Sequence, residues 1–583
     1  MISIDIYFGG ERKMNRKIVL VVILVVLSAT VFPVTGLLPT KAGIADQTTQ
    51  TAYSNTGVMG LNDIWPMFRN DAGNTGCTDN FATNTNHVAW KKQLYADIGE
   101  ATPILYADKL YVSTGWYYKG LPKMTDLFDS TPPPVSEILQ GLLEHPSDIS
   151  QGLFCLDADT GEQLWNKSLE YPSNPAVVDN KLYITAIDFD AYNTILYCYD
   201  ATTGEPQWQV PINGLILSPT IVTDGKIFLG CMDLYSYASS VKCYDLSGNS
   251  LWTRPFDNYE VSWFSAPAVS GDNVYCITMD IYTYYSGNLY CLNVETGAIR
   301  WSKPISTLGF LMYYQAASPA CFDGRVYVLE FDLYSYGGFL KCFDGATGTI
   351  EWSYNLGVSI AIGTPAVCED GVYISAFDLN TYSNRLYRFN PTTGALLWTI
   401  SLPYSSYFSF GSSPICSEDK ILLAPGAFYD YSMELYCFEK ENGSLAWNYT
   451  LDSYILGIPS IGENRVYTAD YEGNIYMFED VLKIQDVMGG ILGVKTIIQN
   501  TGDTSLTSIS WTITVKGGSL GMINRTRSGT IQDLRAGKSR IALLLPIIGM
   551  GNIEVVVTVT MPSMNMIKKT KQGFVLGSVC LLS

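Results

Sequence analysis

The sequence predicts an all-β fold, in which an eight-bladed β-propeller precedes a small immunoglobulin-like β-sandwich. The first observation is a pattern, Asp/Asn-x-x-Thr-Gly-x-x-x-Trp, whose tryptophans recur every 43 to 51 residues. A period of this length is typical of propeller blades and solenoids. The second observation is that each period contains apolar segments of strand length, separated by turn residues and without helical spacing. The third is the loss of the pattern after residue 480, where a different set of short alternating strands begins.

Each copy of the pattern has a local structural meaning. The Asp or Asn can accept hydrogen bonds from the backbone that follows it, and the Gly supplies the positive φ of a tight turn. The Trp lies four residues after the Gly, begins the next strand and offers a flat face to a neighbouring repeat. We therefore expect successive blades to dock through eight tryptophans: Trp90, Trp165, Trp208, Trp252, Trp301, Trp352, Trp398 and Trp447.

Closure of the ring is predicted from the two ends of the repeat region. After Trp447 the repeat region contains only three more strands, from about Ile458 to Glu479. The fourth strand of this last blade is found before the first repeat, in His87–Trp90. Pairing the two ends would leave no long unpaired sheet edge. The 75 residues from Trp90 to Trp165 indicate an insertion in blade 1, at about residues 116–151.

The repeat resembles the tryptophan-docking motif of quinoprotein alcohol dehydrogenases and of the PQQ-like repeat family, which also contains a non-catalytic outer-membrane assembly lipoprotein. The segment Trp65-Pro-Met-Phe-Arg69, with Asn74-Thr-Gly76, resembles the lead-in found before many such propellers. The resemblance covers about residues 62–480 and implies the propeller fold. It does not imply one function, because the family contains both enzymes and binding proteins.

The ends of the chain predict export. Within residues 1–40, Arg16-Lys17 precedes an apolar run from Ile18 to Phe32, which is the arrangement of a secretory signal. A cleaved signal peptide and a retained N-terminal membrane anchor both remain open, and the segment contacts the membrane only if it is uncleaved. Residues 41–61 are predicted to be a flexible linker, residues 62–480 the propeller, and residues 482–583 the sandwich. The protein is expected outside the cytoplasm, at the cell surface or secreted.

The charge distribution argues against nucleic acid as a partner. The whole chain carries a net charge of −19, yet residues 482–583 hold 11 Lys and Arg against 4 Asp and Glu. The propeller is therefore strongly acidic and would repel phosphates.

Thirteen cysteines in an exported chain could form disulfides, but their spacing favours free thiols. Equivalent positions in neighbouring blades are expected to lie too far apart to bridge, and buried Cys packs as a small apolar residue. Two cross-strand pairs within a blade stay open, Cys231 with Cys243 and Cys276 with Cys291. The residues that recur at one strand position are Cys155, Cys198, Cys243, Cys291, Cys342 and Cys437.

Few residues are available for catalysis. The chain has two histidines, His87 and His145, which are too few for a His-rich zinc site and give little basis for a Ser-His-Asp triad. The family resemblance implies a quinone, a calcium ion held by oxygen ligands, and often a pair of adjacent cysteines. No two cysteines are adjacent here. We therefore expect no cofactor and favour a non-catalytic protein. The alternative is a dehydrogenase of an exported alcohol or sugar that depends on pyrroloquinoline quinone and calcium.

A second periodic feature predicts a binding face. In five blades an Asp ends the second strand, and in three of these a Tyr-rich loop follows directly. Each Asp is interpreted as a cap of its own turn, with a ring of calcium-binding carboxylates as an alternative. The tyrosines either pack on their neighbours or form a surface that recognises a cell-surface protein or glycan. The predicted contact residues are Tyr235, Tyr237, Trp263, Tyr282, Tyr284, Tyr314, Tyr334 and Tyr336.

Overall fold

The computed structural model describes residues 64–94, 102–114, 152–188, 191, 193–216, 218–233, 238–256, 260–261, 265–280, 286–306, 317–332, 335–361, 363–402, 413–424, 433–453, 455, 457–561 and 564–582. These residues form an almost entirely β structure, as the sequence predicts. In this part of the chain, helices of the length and apolarity needed to cross a membrane are absent. The predicted signal or anchor at 1–40, the linker at 41–61 and the insertion at 116–151 lie outside the described residues.

The propeller consists of four-stranded antiparallel blades, eight of which are formed by the described strands. Blade 1 contains β2 (Ile104–Tyr106), β3 (Lys109–Thr114), β4 (Gly152–Asp157) and β5 (Gln163–Ser168), and blade 2 contains β6 (Ala176–Val178), β7 (Lys181–Asp188), β8 (Asn193–Asp200) and β9 (Pro206–Asn213). Blade 3 contains β10 (Ile221–Thr223), β11 (Lys226–Met232), β12 (Ser239–Asp245) and β13 (Ser250–Pro255), and blade 4 contains β15 (Ala268–Ser270), β16 (Asn273–Asp280), β17 (Ser286–Asn293) and β18 (Ile299–Ser306).

Blades 5 to 8 continue the same arrangement from the innermost to the outermost strand. Blade 5 contains β19 (Ala320–Phe322), β20 (Arg325–Asp332), β21 (Gly337–Asp344) and β22 (Ile350–Ile360), and blade 6 contains β23 (Ala366–Cys368), β24 (Gly371–Asp378), β25 (Ser383–Phe389) and β26 (Leu396–Ser401). Blade 7 contains β27 (Ile415–Cys416), β28 (Lys420–Leu423), β29 (Glu434–Glu439) and β30 (Leu445–Thr450), and blade 8 contains β31 (Ser460–Gly462), β32 (Arg465–Ala469), β33 (Asn474–Glu479) and β1 (Val88–Gln93). A short extra strand, β14 (Glu260–Val261), pairs with the end of β16.

The two ends of the repeat region meet in blade 8. Strand β1 pairs antiparallel with β33, and Trp90 lies opposite Met477. Trp165 lies opposite Cys155 in the same way in blade 1. The strand from before the first repeat therefore occupies the outermost position of the last blade, and β2 of blade 1 contacts β31 of blade 8.

The burial of each strand follows its position in the blade. In blade 2 the second strand, β7, is buried at six successive residues because neighbouring blades cover both of its faces. The outermost strand, β9, instead alternates between exposed and half-buried residues, as a strand with one wet face does. The apolar core consequently lies between the blades.

The C-terminal domain consists of two packed sheets. Its strands are β34 (Leu482–Gly490), β35 (Gly493–Asn500), β36 (Leu506–Gly517), β37 (Ile523–Leu534), β38 (Ser539–Leu544), β39 (Gly549–Met561), β40 (Met564–Gly577) and β41 (Val579–Leu582), with a 3-10 turn at Ser519–Gly521. One sheet has the order β34-β35-β38 and the other β37-β36-β39-β40-β41. Residues of both sheets share one core, in which Val487 and Ile498 meet Ile513 and Val557.

The strand order of this domain differs in one place from that of a constant-type immunoglobulin sandwich. There the fourth strand pairs with the fifth. Here the fourth strand, β37, lies beside the third, β36. The immunoglobulin-like assignment stays a prediction. The C-terminal stretch from Phe574 to Leu582 is a hairpin in which β41 forms the sheet edge beside β40.

Candidate functional site

The inside of the propeller ring is lined by the segment before β1. Residues 64–81, which we call the inner segment, pass the innermost strands of the blades in ring order, from blade 1 to blade 8. Backbone hydrogen bonds hold it there, and their lengths lie between 2.6 and 3.0 Å. The bonds are Trp65 N–H to Leu105 O and back, Val177 N–H to Pro66 O, Val269 N–H to Ala72 O, Cys321 N–H to Gly73 O, Val367 N–H to Thr75 O, Cys416 N–H to Gly76 O, and Asn464 N–H to Phe81 O.

The innermost strands share a sequence signal that explains this contact. Each is preceded by a proline, and in six blades the residue two positions later donates its N–H to the inner segment. An innermost strand is a sheet edge, where proline is tolerated and where the remaining N–H groups need partners. The inner segment supplies those partners. The prolines are Pro103, Pro175, Pro219, Pro267, Pro319, Pro365, Pro414 and Pro459.

Two polar side chains of the inner segment point at the carbonyls of these strands. Arg69 has no exposed surface, and its Nη2 donates to Pro365 O at 2.7 Å and Pro414 O at 3.1 Å. Its Nε donates to Asn74 O at 3.1 Å. The Asn74 amide donates to Ala266 O, Pro267 O and Pro319 O at 3.2 to 3.3 Å. Together these side chains tie the inner segment to blades 4 to 7.

Burial shifts the pKa of Arg69 and of Asp71 in the inner segment. It lowers the pKa of the Arg69 guanidinium to about 9, because the charged form loses its hydration. It raises the pKa of Asp71, although Thr75 donates both its backbone N–H and its hydroxyl to that carboxylate. Three buried polar atoms of this segment, Nε1 of Trp65, Nη1 of Arg69 and Oδ1 of Asn74, have no hydrogen-bond partner among the described residues.

A sulfur cluster joins the inner segment to blade 6. Cys77 forms a disulfide with Cys368 of β23, and the sequence separation is 291 residues. The Sγ of Cys416, in β27, lies within 4.8 Å of both sulfurs. Burial raises the pKa of the Cys416 thiol to about 12, so this sulfur stays protonated at neutral pH.

The disulfide corrects the expectation of free thiols in one place. The cysteines that recur at one strand position are free and buried, as the sequence predicts. Neither cross-strand candidate pair is bonded, since Cys231 lies opposite Ser240 and Cys276 lies opposite Tyr290. The Cys77–Cys368 pair was missed because Cys77 lies outside the repeats, in a segment with no strand pattern.

The turn face of the propeller is occupied by contacts between blades. In blade 1, Oδ1 of Asp157 accepts hydrogen bonds from the N–H and hydroxyl of Thr160. Gly161 has a φ of 70°, and a Cβ added there would lie 2.7 Å from the Trp90 ring. The Nε1 of Trp90 donates to Ala158 O at 3.0 Å. Blade 8 thereby docks on blade 1.

The other predicted docking tryptophans occupy equivalent places. Six of them donate Nε1 to a carbonyl associated with the next blade, at 3.0 to 3.2 Å: Trp165 to Thr202, Trp208 to Leu246, Trp252 to Val294, Trp301 to Gly345, Trp352 to Pro391, and Trp447 to Thr83.

The exception is Trp398. Its Nε1 is buried without a partner among the described residues. The equivalent carbonyl of blade 7, at Lys440, instead accepts Nη1 of Arg388 at 3.2 Å.

In blade 8 a split turn replaces the continuous one. The carboxylate of Asp480 accepts the Thr83 hydroxyl at 3.0 Å and the backbone N–H of Asn84 at 2.6 Å. The Thr83 carbonyl, in turn, accepts Nε1 of Trp447. The inner segment therefore continues into the turn that receives blade 7.

The second strands end, and the connections between blades begin, at the face opposite the turn face, which we call the loop face. Seven of the predicted contact residues lie outside the described residues: Tyr235, Tyr237, Trp263, Tyr282, Tyr284, Tyr314 and Tyr334. The eighth, Tyr336, is half-buried and has a φ of 51°, a left-handed conformation that is uncommon for this residue type. The structure thus places one of these residues and leaves their grouping a prediction.

Three of the loop-capping aspartates can be followed in detail. Asp188 accepts the Ala191 N–H at 3.0 Å, and Asp332 accepts the Ser335 hydroxyl at 2.7 Å. Asp378 accepts the Asn380 N–H at 2.8 Å and forms an ion pair with Arg385 at 3.0 Å. Each carboxylate therefore caps its own loop, which is the structural role considered for it.

Sequence reasoning missed two carboxylates close to this face. Glu260 of β14 accepts the Tyr290 hydroxyl at 2.7 Å and the Asn288 amide at 2.6 Å. Glu330 is buried and pairs with Nζ of Lys341 at 2.8 Å, and burial raises its pKa. Both are held by polar side chains of their own blade. Their signal in the sequence is weak, because each is a single Glu in an ordinary strand.

The alternative of a calcium-bound quinone depends on the ligands that the propeller offers. Calcium needs several convergent oxygen ligands. Among the described residues, the one group of three His, Cys, Asp or Glu side chains close enough to share an ion is Cys77, Cys368 and Cys416. Sulfur ligands suit soft metals rather than calcium.

Comparison with solved structures gives propellers of the same general type. One is BamB from Moraxella catarrhalis, with 15% identity and a TM-score of 0.46, over 67% of this chain and 99% of that one. A europium-containing methanol dehydrogenase shares 12% identity with a TM-score of 0.49, over 76% and 90%. The quinohemoprotein alcohol dehydrogenase of Comamonas testosteroni shares 14% identity with a TM-score of 0.50, over 72% and 81%. The similarity to the last of these, at a TM-score of 0.50, concerns the fold alone.

Comparison with curated proteins gives no match. A family profile described as "Outer membrane protein assembly factor BamB" matches residues 150–310, 314–427 and 382–482, which together exceed half of the chain. The chain therefore belongs to this family of PQQ-like repeat β-propellers.

Proposed function

We propose that this chain is an exported, non-catalytic binding or scaffold protein, which holds a cell-surface protein or glycan on the loop face of its propeller. The observation that carries the proposal is the occupied centre of the ring. The inner segment forms backbone hydrogen bonds with innermost strands around the ring, and Arg69 and Asn74 use the carbonyls of blades 4 to 7. A ring filled in this way is a rigid support, and its outer surfaces are where a partner would bind.

The choice between the two faces follows from how the turns are used. On the turn face, the Asp-x-x-Thr-Gly turns receive the tryptophans of neighbouring blades and are already engaged. The described docking contacts of the tryptophans lie on the turn face, whereas most of the predicted contact tyrosines belong to loops that leave from the loop face. Tyrosine gives a large contact area at a low entropic cost, which suits broad recognition of a protein or glycan. The family name, an assembly factor, is consistent with a protein partner.

The test is a binding measurement with a matched control. The ligand is first identified by affinity capture from the native cell surface and by a glycan array. The triple variant Tyr237→Ala, Tyr284→Ala, Tyr336→Ala is then compared with Leu164→Ala, Ile299→Ala, Leu397→Ala, which removes exposed apolar side chains from outermost strands. Loss of a central aromatic contact is worth about 2 kcal/mol or more, so the loop-face variant should bind at least about 30-fold more weakly. The control variant should bind like the wild type.

Two results would contradict the proposal. The first is unchanged affinity of the loop-face variant with an unchanged circular dichroism spectrum, which would place the ligand elsewhere. The second is turnover of an alcohol or sugar in a dye-linked assay after addition of pyrroloquinoline quinone and calcium. That result would establish the dehydrogenase alternative.

A further inference from the structure

Four chain segments meet at one end of the C-terminal sandwich and form an apolar surface. They are residues 490–493, 518–522, 545–550 and 576–579, and we call them the apolar tip. Backbone hydrogen bonds join them: Leu492 N–H to Ser578 O at 2.6 Å, and Ile547 N–H to Leu492 O at 2.8 Å. The Ser519 hydroxyl donates to Met550 O at 2.9 Å, and Met550 lies opposite Leu576 in the sheet. The segments therefore form a single surface.

The large apolar side chains of the tip are unusually exposed. Leu520 is 97% exposed, Ile491 79%, Met522 78% and Ile548 67%. Single exposed apolar residues are common, but a contiguous group of this kind marks an interaction surface. Phe574, Leu576, Val579 and Leu581 of the terminal hairpin are also exposed and extend the same surface.

The backbone of the tip holds two leucines in a conformation that leucine rarely adopts. Leu492 has a φ of 72° and Leu520 a φ of 59°, which lie in the left-handed region that glycine or asparagine usually occupies. Glycines in this chain occupy many such positions, including Gly521 in the same turn. Strained positions of this sort concentrate where a side chain has a function. At Leu520 the result is an apolar side chain at the apex of a loop.

Charge separates the tip from the rest of the domain. The four segments contain no Asp, Glu, Lys or Arg, although residues 482–583 carry 11 basic and 4 acidic residues. The nearest charged positions along the flanking strands are the exposed Lys495, Lys516 and Arg525 and two acids. The acids are the exposed Glu554 and the half-buried Asp486, which forms an ion pair with Lys571 at 3.3 Å. The tip is apolar and uncharged, and basic side chains predominate behind it. An anionic bilayer has the complementary layers, because its apolar interior lies beneath negatively charged headgroups.

We propose that the apolar tip inserts into the interfacial region of an anionic lipid membrane, with Leu520 and Met522 entering the acyl layer and the basic residues contacting the headgroups. The tip is part of a β-sandwich and enters the membrane only with its loops, so every backbone group in its strands keeps its partner. The proposal is independent of what the propeller binds.

The experiment measures the depth of one residue in the full chain. All eleven free native thiols are buried, so Leu520→Cys can be labelled selectively with an environment-sensitive fluorophore. The labelled protein is mixed with vesicles of phosphatidylglycerol and phosphatidylcholine that contain brominated acyl chains. The matched site is Thr530→Cys, an exposed position farther along β37. Quenching at a single site reports the tip itself, whatever the N-terminal segment does.

The proposal predicts at least twofold quenching at position 520 and none at position 530. In the Leu520→Cys background, Ile491→Ser with Met522→Ser should halve the quenching or lower it further. Leu164→Ser with Ile350→Ser, on exposed outermost strands, should leave it unchanged. Vesicles of phosphatidylcholine alone should give weaker quenching.

Three outcomes overturn the proposal. The first is absence of quenching at position 520. The second is equal quenching at both positions, which would mean that the domain lies flat on the membrane. The third is a fluorophore at position 520 that is already shielded without lipid, in a chain that sedimentation shows to be dimeric. That result would assign the tip to a second copy of the chain.

Discussion

Replacing two docking tryptophans by phenylalanine tests how the blades are held together. Trp301 donates Nε1 to Gly345 O at 3.0 Å, and Tyr275 donates its hydroxyl to the same carbonyl at 3.1 Å. Trp398 occupies the equivalent place in blade 6, but its Nε1 has no partner among the described residues. The two sites have similar ring packing, since the Tyr–Trp centroid distances are 6.0 and 6.2 Å. The hydrogen bond is therefore the main difference between them.

The magnitudes follow from this difference. Trp301→Phe keeps an aromatic ring under Gly348 and loses one donor, which costs about 1 kcal/mol more than the smaller ring alone. Trp398→Phe removes a buried donor that is unsatisfied, so its hydrogen-bond cost is about zero. Trp301→Ala also removes the ring, which buries about 150–250 Å². At about 25 cal/mol per Å² this is about 4–6 kcal/mol. The partial exposure of Trp301 lowers it to roughly 3–5 kcal/mol.

The assay is urea unfolding of the three variants and the wild type, followed by tryptophan fluorescence and far-UV circular dichroism. The expected order of destabilisation is Trp301→Ala, then Trp301→Phe, then Trp398→Phe, with about 1 kcal/mol between the two Phe variants. Equal costs at both sites would refute the role given to the Nε1 hydrogen bond. A Trp301→Ala variant as stable as the wild type would refute blade docking through this residue.

Three further predictions concern the turns, the disulfide and the split turn. Gly348→Ala should destabilise the propeller by about 2 kcal/mol or more in thermal unfolding, because Gly348 has a φ of 67° and the new Cβ would lie 2.6 Å from the Trp301 ring. The control is Gly225→Ala, which should cost only about 1 kcal/mol, because Gly225 has a φ of 73° but open space around the new Cβ. Cys77→Ser with Cys368→Ser should lower the unfolding free energy by about 2–5 kcal/mol and abolish the effect of a reductant on Tm, whereas a reductant-sensitive variant would contradict the assignment. Burial raises the pKa of Asp480, so the folded state holds this proton more tightly than the unfolded state. That contribution to stability is complete below the unfolded pKa near 3.8 and is lost as pH rises through the folded pKa. The Tm of Asp480→Asn, measured relative to that of the wild type, should therefore rise with pH between the unfolded and the folded pKa. A Tm difference that stays constant with pH would contradict this assignment.

Much of the propeller could be predicted because its signal is local and repeated. The Gly-to-Trp spacing places the turn and the ring of adjacent blades in contact, and the orphan strand before the first repeat pairs with β33. The inner segment could not be placed in this way. Arg69 and Asn74 bind carbonyls 192 to 345 residues away, and such contacts leave no periodic trace in one sequence. The prolines before the innermost strands were the available signal.

The candidate site was less predictable than the fold. Loops are specified by their own short sequences, and an aromatic loop can pack inward or face a partner with the same composition. The Asp residues illustrate the limit, because one pattern fits a turn cap or a metal ligand, and the bonds of Asp188, Asp332 and Asp378 show the first. The disulfide was hidden for a similar reason, since Cys368 looks like any other cysteine of the repeats.

The central claim is that the centre of the ring is filled by the inner segment and that a partner binds on the loop face. Hydrogen exchange of the chain, measured with and without its captured ligand, tests this claim most directly. The inner-segment amides of Trp65, Gly76 and Thr78 should exchange slowly in both states, because each donates a backbone hydrogen bond inside the ring. The strand amides that donate to the inner segment, such as those of Val269, Cys321 and Val367, should exchange slowly as well. Ligand should add protection in the loops that contain Tyr237, Tyr284 and Tyr336 and leave the turns at Gly161 and Gly348 unchanged. Fast exchange of the inner segment that becomes slow on binding, with no change in those loops, would contradict the account and place the ligand in the centre of the ring.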